Sequence, residues 1–166
     1  MNRELVKDLF LSLLIVLSQL LIFNHINLFG TVSTFIYVSL FILYKTTYDK
    51  TYLILFGFIV GLIIDLSLQT YGAHTLASIT VCYLKERIEK YSFGVNSTLP
   101  LAMIRGTQQT NRVTYFFLII FLHSLIYFSL IFFKFEFALT IFLFTLINSI
   151  INFIIIWIIS MLIFDK

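Results

Sequence analysis

The residues best suited to chemistry lie in one stretch of the chain, residues 57–84. An otherwise apolar helix there carries Gly57, Gly61 and Asp65 at successive i+4 spacing. A carboxylate inside a segment of hydrocarbon length costs about 2.5–3.5 kcal/mol at the bilayer centre, so Asp65 needs a buried partner or a functional task. Two hypotheses stay open. Asp65 accepts hydrogen bonds from the next turn or a neighbouring helix and stabilises the bundle, or it contacts a membrane partner or a translocated ligand.

Two histidines are the other candidate acid–base groups. His74 follows Gly72 at the start of the next helix, and His123 lies on a later apolar helix with Tyr127 one turn further on. If His123 reached Asp65, the two would form a buried carboxylate–imidazole pair able to carry a proton. The simpler alternative makes His74 a helix-end residue and leaves His123 without that pairing.

Catalytic and metal sites need clustered residues that this chain does not supply. Hydrolysis needs paired carboxylates or a nucleophile beside a base, and metal sites need grouped His, Asp or Cys. The sequence has no G-x-S-x-G, P-loop or H-E-x-x-H motif. Its one cysteine, Cys82, lies in an apolar helix and predicts neither a disulfide nor a metal site. We expect no enzyme activity, no cofactor and no metal.

The composition is that of a membrane protein. Of the 166 residues, 60% are hydrophobic and 11% charged, whereas soluble domains carry about 25% charged residues. No polar stretch is long enough for a second domain, so residues 1–166 are expected to form one transmembrane domain. The net charge of +3 does not indicate nucleic acid, because the basic residues lie between hydrophobic blocks rather than in a run with aromatics.

Six apolar blocks predict an all-α protein with six transmembrane helices. About 20 residues cross a hydrocarbon core of roughly 30 Å, so the second and fourth blocks need their flanks. The fourth block gains such a flank because the i+4 pairs Lys85–Glu89 and Glu86–Lys90 favour a longer helix. We expect this charged end to lie in water or among the headgroups. The predicted spans are 9–23, 28–44, 51–69, 72–90, 113–133 and 137–164, with a loop at 91–112.

The basic residues predict the orientation of this six-span arrangement. All but one of the 11 Lys and Arg residues fall on one side, and Lys134 is the exception. By the positive-inside rule both termini are cytoplasmic.

Two stripes of polar residues interrupt the apolar helices. Such residues in lipid usually hydrogen-bond across helix interfaces, so we interpret both stripes as packing contacts. They are Ser12 and Gln19 on the first helix, and Thr145, Asn148, Ser149 and Asn152 on the last.

The central stretch resembles a known family. The run G-L-I-I-D at Gly61–Asp65, followed after six residues by Gly72 and a small residue, resembles the signature of the rod shape-determining protein MreD family. The stretch from Gln19 to Gly30 resembles the first outer turn of the Bacteroidetes branch. His123 and the turn at 134–137 are similar to that branch as well, so the resemblance covers nearly the whole chain.

The resemblance implies an inner-membrane component of the bacterial cell-elongation machinery. Members of that family are thought to pair with MreC and, through it, to join RodA, its partner transpeptidase and the MreB cytoskeleton in guiding peptidoglycan synthesis. The implied fold is like that of the substrate-binding S-components of energy-coupling-factor transporters. Gly61, Asp65 and Gly72 are carried over as fold- or partner-defining positions, beside the candidates Gly57, His74 and His123.

Two other functions stay open. The chain could be an S-component that binds a small molecule, although such proteins typically dock their transport partner through alanines on helix 1, and no alanine precedes Ala73. It could also be a proton-coupled flippase that uses Asp65 and His123. A vitamin in the purified protein would favour the first, and loss of transport in Asp65→Asn with assembly intact would favour the second.

Overall fold

The computed structural model describes residues 3–28, 32–44, 49–94 and 107–164. Within these ranges the chain forms six α-helices and a short antiparallel ribbon. The α-helices are α1 (Arg3–Ser18), α2 (Val38–Leu43), α3 (Lys50–Leu68), α4 (Ala73–Phe93), α5 (Gln109–Phe132) and α6 (Ala138–Phe164), and the strands are β1 (Asn27–Leu28) and β2 (Val32–Ser33). A π-helical turn, Gln19–Phe23, continues α1, and a 3-10 turn, Phe135–Phe137, precedes α6.

Four helical segments of the described chain are long and apolar enough to cross a membrane. They are Val6–Phe23, Lys50–Leu68, Gln109–Phe132 and Phe135–Leu162, with mean hydropathies between 2.1 and 2.4. Large apolar side chains such as Leu66 and Leu139 are exposed on their outer faces, as a hydrocarbon solvent allows. The prediction of a helical protein with membrane-spanning helices is confirmed to this extent.

The packing places α4 at the centre of the bundle. α3 packs along α4, α4 along α5, and α5 along α6. The buried face of α4 includes Ala77, Val81 and Cys82, none of which is exposed to solvent. Because α4 is surrounded in this way, it can carry polar residues that a lipid-facing helix could not.

The second predicted span, 28–44, is not one helix. Among the described residues of this span, α-helical structure is confined to Val38–Leu43, and residues 32–37 form β2 and an irregular segment. This stretch is rich in Ser, Thr and Val. Ser and Thr side chains compete for backbone hydrogen bonds, and β-branched residues lose rotamer freedom in a helix. Residues Phe35–Ile42 are nevertheless buried, so the segment runs inside the bundle.

The predicted loop at 91–112 is shorter in the structure. Residues 91–93 belong to α4, and residues 109–112 belong to α5. The middle of that predicted loop, 95–106, lies outside the described residues, as does Gly30 of the first predicted turn.

Candidate functional site

Two glycines bring α3 and α4 into close contact. A Cβ atom at Gly61 would lie 2.6 Å from the Thr75 Cα atom, and one at Gly57 would lie 2.6 Å from the Cys82 Sγ atom. Carbon atoms in contact are normally about 3.5–4.0 Å apart. The hairpin in its observed geometry therefore excludes a side chain at Gly61, where the opposing atoms belong to the backbone. The i+4 glycine pair acts as a helix-contact motif.

Asp65 of α3 caps the first turn of α4. Its Oδ1 atom accepts from the His74 amide at 3.0 Å, and its Oδ2 atom accepts from the Thr75 amide at 2.8 Å. The hydroxyls of Thr70 and Thr75 also donate to the carboxylate, both at 2.5 Å. A carboxylate at a helix N-terminus gains further from the helix dipole. Asp65 is 5% exposed, and this set of donors offsets the cost of its burial.

Gly72 explains why the cap comes from another helix. It occupies the N-cap position of α4 with φ +94°, a left-handed conformation that favours glycine. An N-cap side chain normally bonds the amides at the second and third helical positions, but glycine has none to offer. Asp65 bonds the amides at those two positions, His74 and Thr75, from the preceding helix. The hairpin thus depends on Gly72 and Asp65 together.

A second aspartate caps the N-terminus of α3, the helix that carries Asp65. Asp49 precedes α3, and its side chain accepts from the Thr51 amide at 2.7 Å. Unlike Asp65 it is exposed. The hydrogen bond from the Thr51 backbone lowers the pKa of the Asp49 carboxyl. Asp49 is therefore a natural comparison residue for Asp65.

The two histidines meet at a tyrosine rather than at Asp65. The Tyr37 hydroxyl lies 2.8 Å from His74 Nδ1 and 2.7 Å from His123 Nε2. All three side chains are fully buried. The hypothesis of a direct Asp65–His123 pair is wrong, because the described donors to Asp65 are Thr70, His74 and Thr75. Asp65 is linked to the two histidines only through the hydrogen bond that it accepts from the His74 backbone amide.

The sequence did not indicate Tyr37, because it lies in a stretch assigned to a helix. Its position depends on side-chain amides from distant helices. Gln19 donates to the Thr34 carbonyl at 2.8 Å and accepts from the Tyr37 amide at 3.3 Å. Asn152 accepts from the Phe35 amide at 2.5 Å and donates to the Ser33 carbonyl at 3.0 Å. One residue from each predicted polar stripe, Gln19 and Asn152, therefore bonds the backbone of a non-helical segment.

Phe35 completes the aromatic surroundings of this centre. Its ring makes edge contacts with the rings of His74 and His123, at centroid distances of 5.4 and 5.3 Å, and with Tyr127 at 5.0 Å. Edge-to-face contacts of this kind add about 0.5–1.5 kcal/mol each beyond buried area. The ring thus holds the histidines in a tightly packed aromatic environment.

The charged end of α4 is partly inside the bundle. Lys85 and Glu89 are 3% and 4% exposed, and Lys85 Nζ lies 2.5 Å from Glu89 Oε1. Lys85 also donates to the Tyr44 carbonyl at 2.9 Å, and the Tyr115 hydroxyl donates to Glu89 at 3.3 Å. The expectation that this end stands in water holds only for the exposed Glu86–Lys90 pair. The i+4 spacing alone could not show which of the two pairs faced inward.

The six candidate residues thus fall on one hairpin and one facing helix. Gly57, Gly61, Asp65, Gly72 and His74 form the α3–α4 hairpin, and His123 of α5 joins it through Tyr37. Within the described residues, no group of three or more His, Cys, Asp or Glu side chains is placed to hold a metal ion. What the arrangement can do is fix two helices rigidly and hold a chain of proton-sharing groups in the interior.

The comparisons with known proteins return nothing for this chain. No family model matches it, and no curated protein or solved structure matches it. The functional argument therefore depends on the residues and their geometry, together with the resemblance of the hairpin sequence.

Proposed function

We propose that this chain is a non-enzymatic scaffold of the bacterial cell-elongation complex, with an MreC-type protein as its direct partner. On this proposal it lies in the inner membrane and helps to position RodA, its partner transpeptidase and, indirectly, MreB filaments. The observation that carries the proposal is the α3–α4 hairpin. The residues that resemble the MreD signature, Gly61, Asp65 and Gly72, form a single structural unit there.

The interior of the bundle supports a scaffold more than a transporter. An S-component needs space for its ligand between the helices. Here Phe35, Tyr37 and Phe41 fill the centre, each 2% exposed or less. The amides of Gln19 and Asn152 hold this segment in place. The S-component-like alternative would require the segment to leave its hydrogen bonds.

We further propose six membrane crossings, with both termini cytoplasmic, in an architecture like that of the S-components. α4 has 21 residues and so spans about 31 Å at 1.5 Å per residue. Residues 32–37 form β2 and a turn that leads into α2, and α2 itself covers about 9 Å. Side-chain amides satisfy backbone groups of this non-helical part, as non-helical backbone at membrane depth requires.

The experiment that tests the scaffold function is crosslinking and affinity capture from native membranes. The wild type is compared with Asp65→Asn, which alters the cap of α4, and with Gly61→Leu, which alters the contact between α3 and α4. Asp49→Asn is the matched control, because it makes the same chemical change at an exposed cap where asparagine also serves. We expect the MreC-type protein and the wall synthases to be recovered with the wild type and with Asp49→Asn.

We expect both hairpin variants to insert at wild-type levels but to lose these partners. Membrane level and detergent size-exclusion profile are measured beside the capture, so that a misfolded variant is recognised. If the wild type captures no MreC-type protein from cells that contain one, the scaffold proposal is wrong. A search for a bound vitamin in the purified protein would then test the alternative.

A further inference from the structure

The hydrogen bonds around Tyr37 restrict where the protons of the two histidines can be. A neutral imidazole carries one N–H and one lone pair, and a phenol has a single proton to donate. The Tyr37 hydroxyl contacts Nδ1 of His74 and Nε2 of His123. It can donate to only one of these nitrogens, and it must accept from the other for both contacts to be hydrogen bonds.

Two arrangements meet this requirement. In the first, His74 Nδ1–H donates to Tyr37, and Tyr37 donates to His123 Nε2, so that both histidines carry their proton on Nδ1. In the second, Tyr37 donates to His74 Nδ1, and His123 Nε2–H donates to Tyr37, so that both carry it on Nε2. The two histidines therefore share the same tautomer in either arrangement.

Each histidine has a second ring nitrogen that faces away from Tyr37 and has no hydrogen-bond partner among the described residues. These are His74 Nε2 and His123 Nδ1, both buried. Ser124, next to His123, is also buried, and its hydroxyl likewise lacks a partner among the described residues. Ser78, one turn after His74, is buried and interacts with the Tyr37 hydroxyl. Buried polar groups are nearly always satisfied by protein or ordered water. By this rule we expect an ordered water at each of the two nitrogens, with which it can exchange a proton.

We propose that His74, Tyr37 and His123 form a two-state proton relay in the interior of the bundle. Starting from the first arrangement, a water molecule gives a proton to His74 Nε2. The Nδ1 proton of His74 then passes to the Tyr37 oxygen, the Tyr37 proton passes to His123 Nε2, and His123 Nδ1 releases its proton to water. One proton enters and one leaves, and both histidines change tautomer together. The reverse sequence moves a proton the other way.

The charge around the relay comes from a small number of groups. Asp65 of α3 is the charged residue that interacts electrostatically with both histidines. The other titratable neighbours are Tyr127 of α5, which stacks near His74 at 4.4 Å between centroids, and Cys82 of α4. Asp65 accepts from the His74 amide, so its carboxylate lies beside the His74 end of the relay. The relay does not depend on the scaffold function.

The test is solid-state nitrogen NMR of the full chain in hydrated lipid bilayers, with 15N-labelled histidine. His25→Gln removes the third histidine, and His123→Gln assigns the remaining two. We expect His74 and His123 to show the same ratio of Nδ1–H to Nε2–H tautomers, and this ratio to change in parallel with temperature. Ring protons should exchange with deuterium from D2O.

Two tyrosine variants test the role of the bridging hydroxyl. Tyr37→Phe removes it, and the two tautomer ratios should then become unequal. Tyr127→Phe is the matched control, because it removes a neighbouring hydroxyl that lies outside the chain of hydrogen bonds, and the ratios should stay equal.

Unlike tautomers in the wild type would overturn the proposal, since Tyr37 could not then donate to one histidine and accept from the other. A single tautomer pair that does not respond to temperature, or ring protons that never exchange with D2O, would also overturn it. These wild-type results decide the question even if Tyr37→Phe fails to fold.

Discussion

At the scale of single residues, the hairpin shows how one glycine differs from another. Both Gly57 and Gly61 face α4, yet the atoms opposite them are of different kinds. Gly61 faces the backbone of Thr75, and Gly57 faces the side chain of Cys82. A side chain can rotate or be shortened, whereas the first turn of α4 is fixed by Asp65. The tolerance of the two positions to an added methyl group should therefore differ.

We predict that Gly61→Ala destabilises the protein by about 1–3 kcal/mol, as overpacking usually does, and that Cys82→Ala does not rescue it. Gly57→Ala should also destabilise the protein, but Gly57→Ala combined with Cys82→Ala should recover most of the loss, because the clashing Sγ atom is gone. The measurement is the free energy of unfolding in mixed micelles for each single and double variant. Equal rescue of both glycine variants would contradict the observed contacts.

Asp65 accepts hydrogen bonds within the bundle, as the first of its two hypotheses predicted, and its contact with a membrane partner or ligand stays a prediction. Its position inside an apolar helix required a partner, and the structure supplies four donors from the turn and from α4. Sequence could predict that a partner exists, because the cost of an unpaired buried carboxylate is high. It could not identify the partner, since the capping geometry depends on how the turn at 69–72 folds back.

At the scale of elements, α4 combines a central position with buried charge. Lys85 and Glu89 lie one turn apart on its buried face, and Lys85 also bonds the carbonyl of Tyr44 just after α2. A buried ion pair gains little net stability, because desolvation offsets the attraction, but loss of one partner leaves an uncompensated charge. The pair therefore connects α4 to the end of α2, and a substitution that removes only one of the two charges should lower the free energy of unfolding.

We predict that Lys85→Met destabilises the protein by about 3–5 kcal/mol. Lys85→Met with Glu89→Leu should be closer to the wild type, because no lone charge remains in the interior. The exposed pair Glu86–Lys90 has the same spacing, and its neutralisation should change the free energy of unfolding by about 0.5 kcal/mol or less. If the double variant at 85 and 89 is less stable than Lys85→Met, the additional hydrogen bonds of Glu89 outweigh the desolvation cost.

The segment 32–37 is the element that sequence reasoning missed. Its apolar composition favoured a span, and the length of the block favoured a helix. The deciding contacts come from Gln19, Asn148 and Asn152, which are more than ten residues away along the chain and bond its amides and carbonyls. Periodicity identifies local structure, and long-range side-chain bonds of this kind leave no periodic signal. The same bonds position Tyr37, so the histidine centre was missed for the same reason.

At the scale of the whole molecule, the number of crossings follows from where α4 and the 32–44 segment lie. Four helical segments are apolar enough to cross by themselves. α4 is too polar for that measure, yet several of its polar residues, His74, Lys85 and Glu89 among them, face inward. Residues 35–42 are buried by their neighbours. Hydropathy averages a whole helix and cannot distinguish a polar face that is buried in protein from one that meets lipid. The crossings are therefore best tested by chemical labelling.

We predict a definite side for three single cysteines introduced into a Cys82→Ala background. Tyr71→Cys and Phe135→Cys replace side chains that are fully or almost fully exposed, and Tyr91→Cys replaces one that is 79% exposed. With six crossings, positions 71 and 135 face the outside and react with a membrane-impermeant maleimide in intact spheroplasts. Position 91 reacts only after permeabilisation.

If α4 did not cross, positions 71 and 91 would react together and position 135 would lie on the opposite side. If the 32–44 segment alone did not cross, position 91 would be labelled outside and position 71 would not. Each architecture thus gives its own labelling pattern, and the six-crossing pattern would place the hairpin turn where an outer-side partner could reach it.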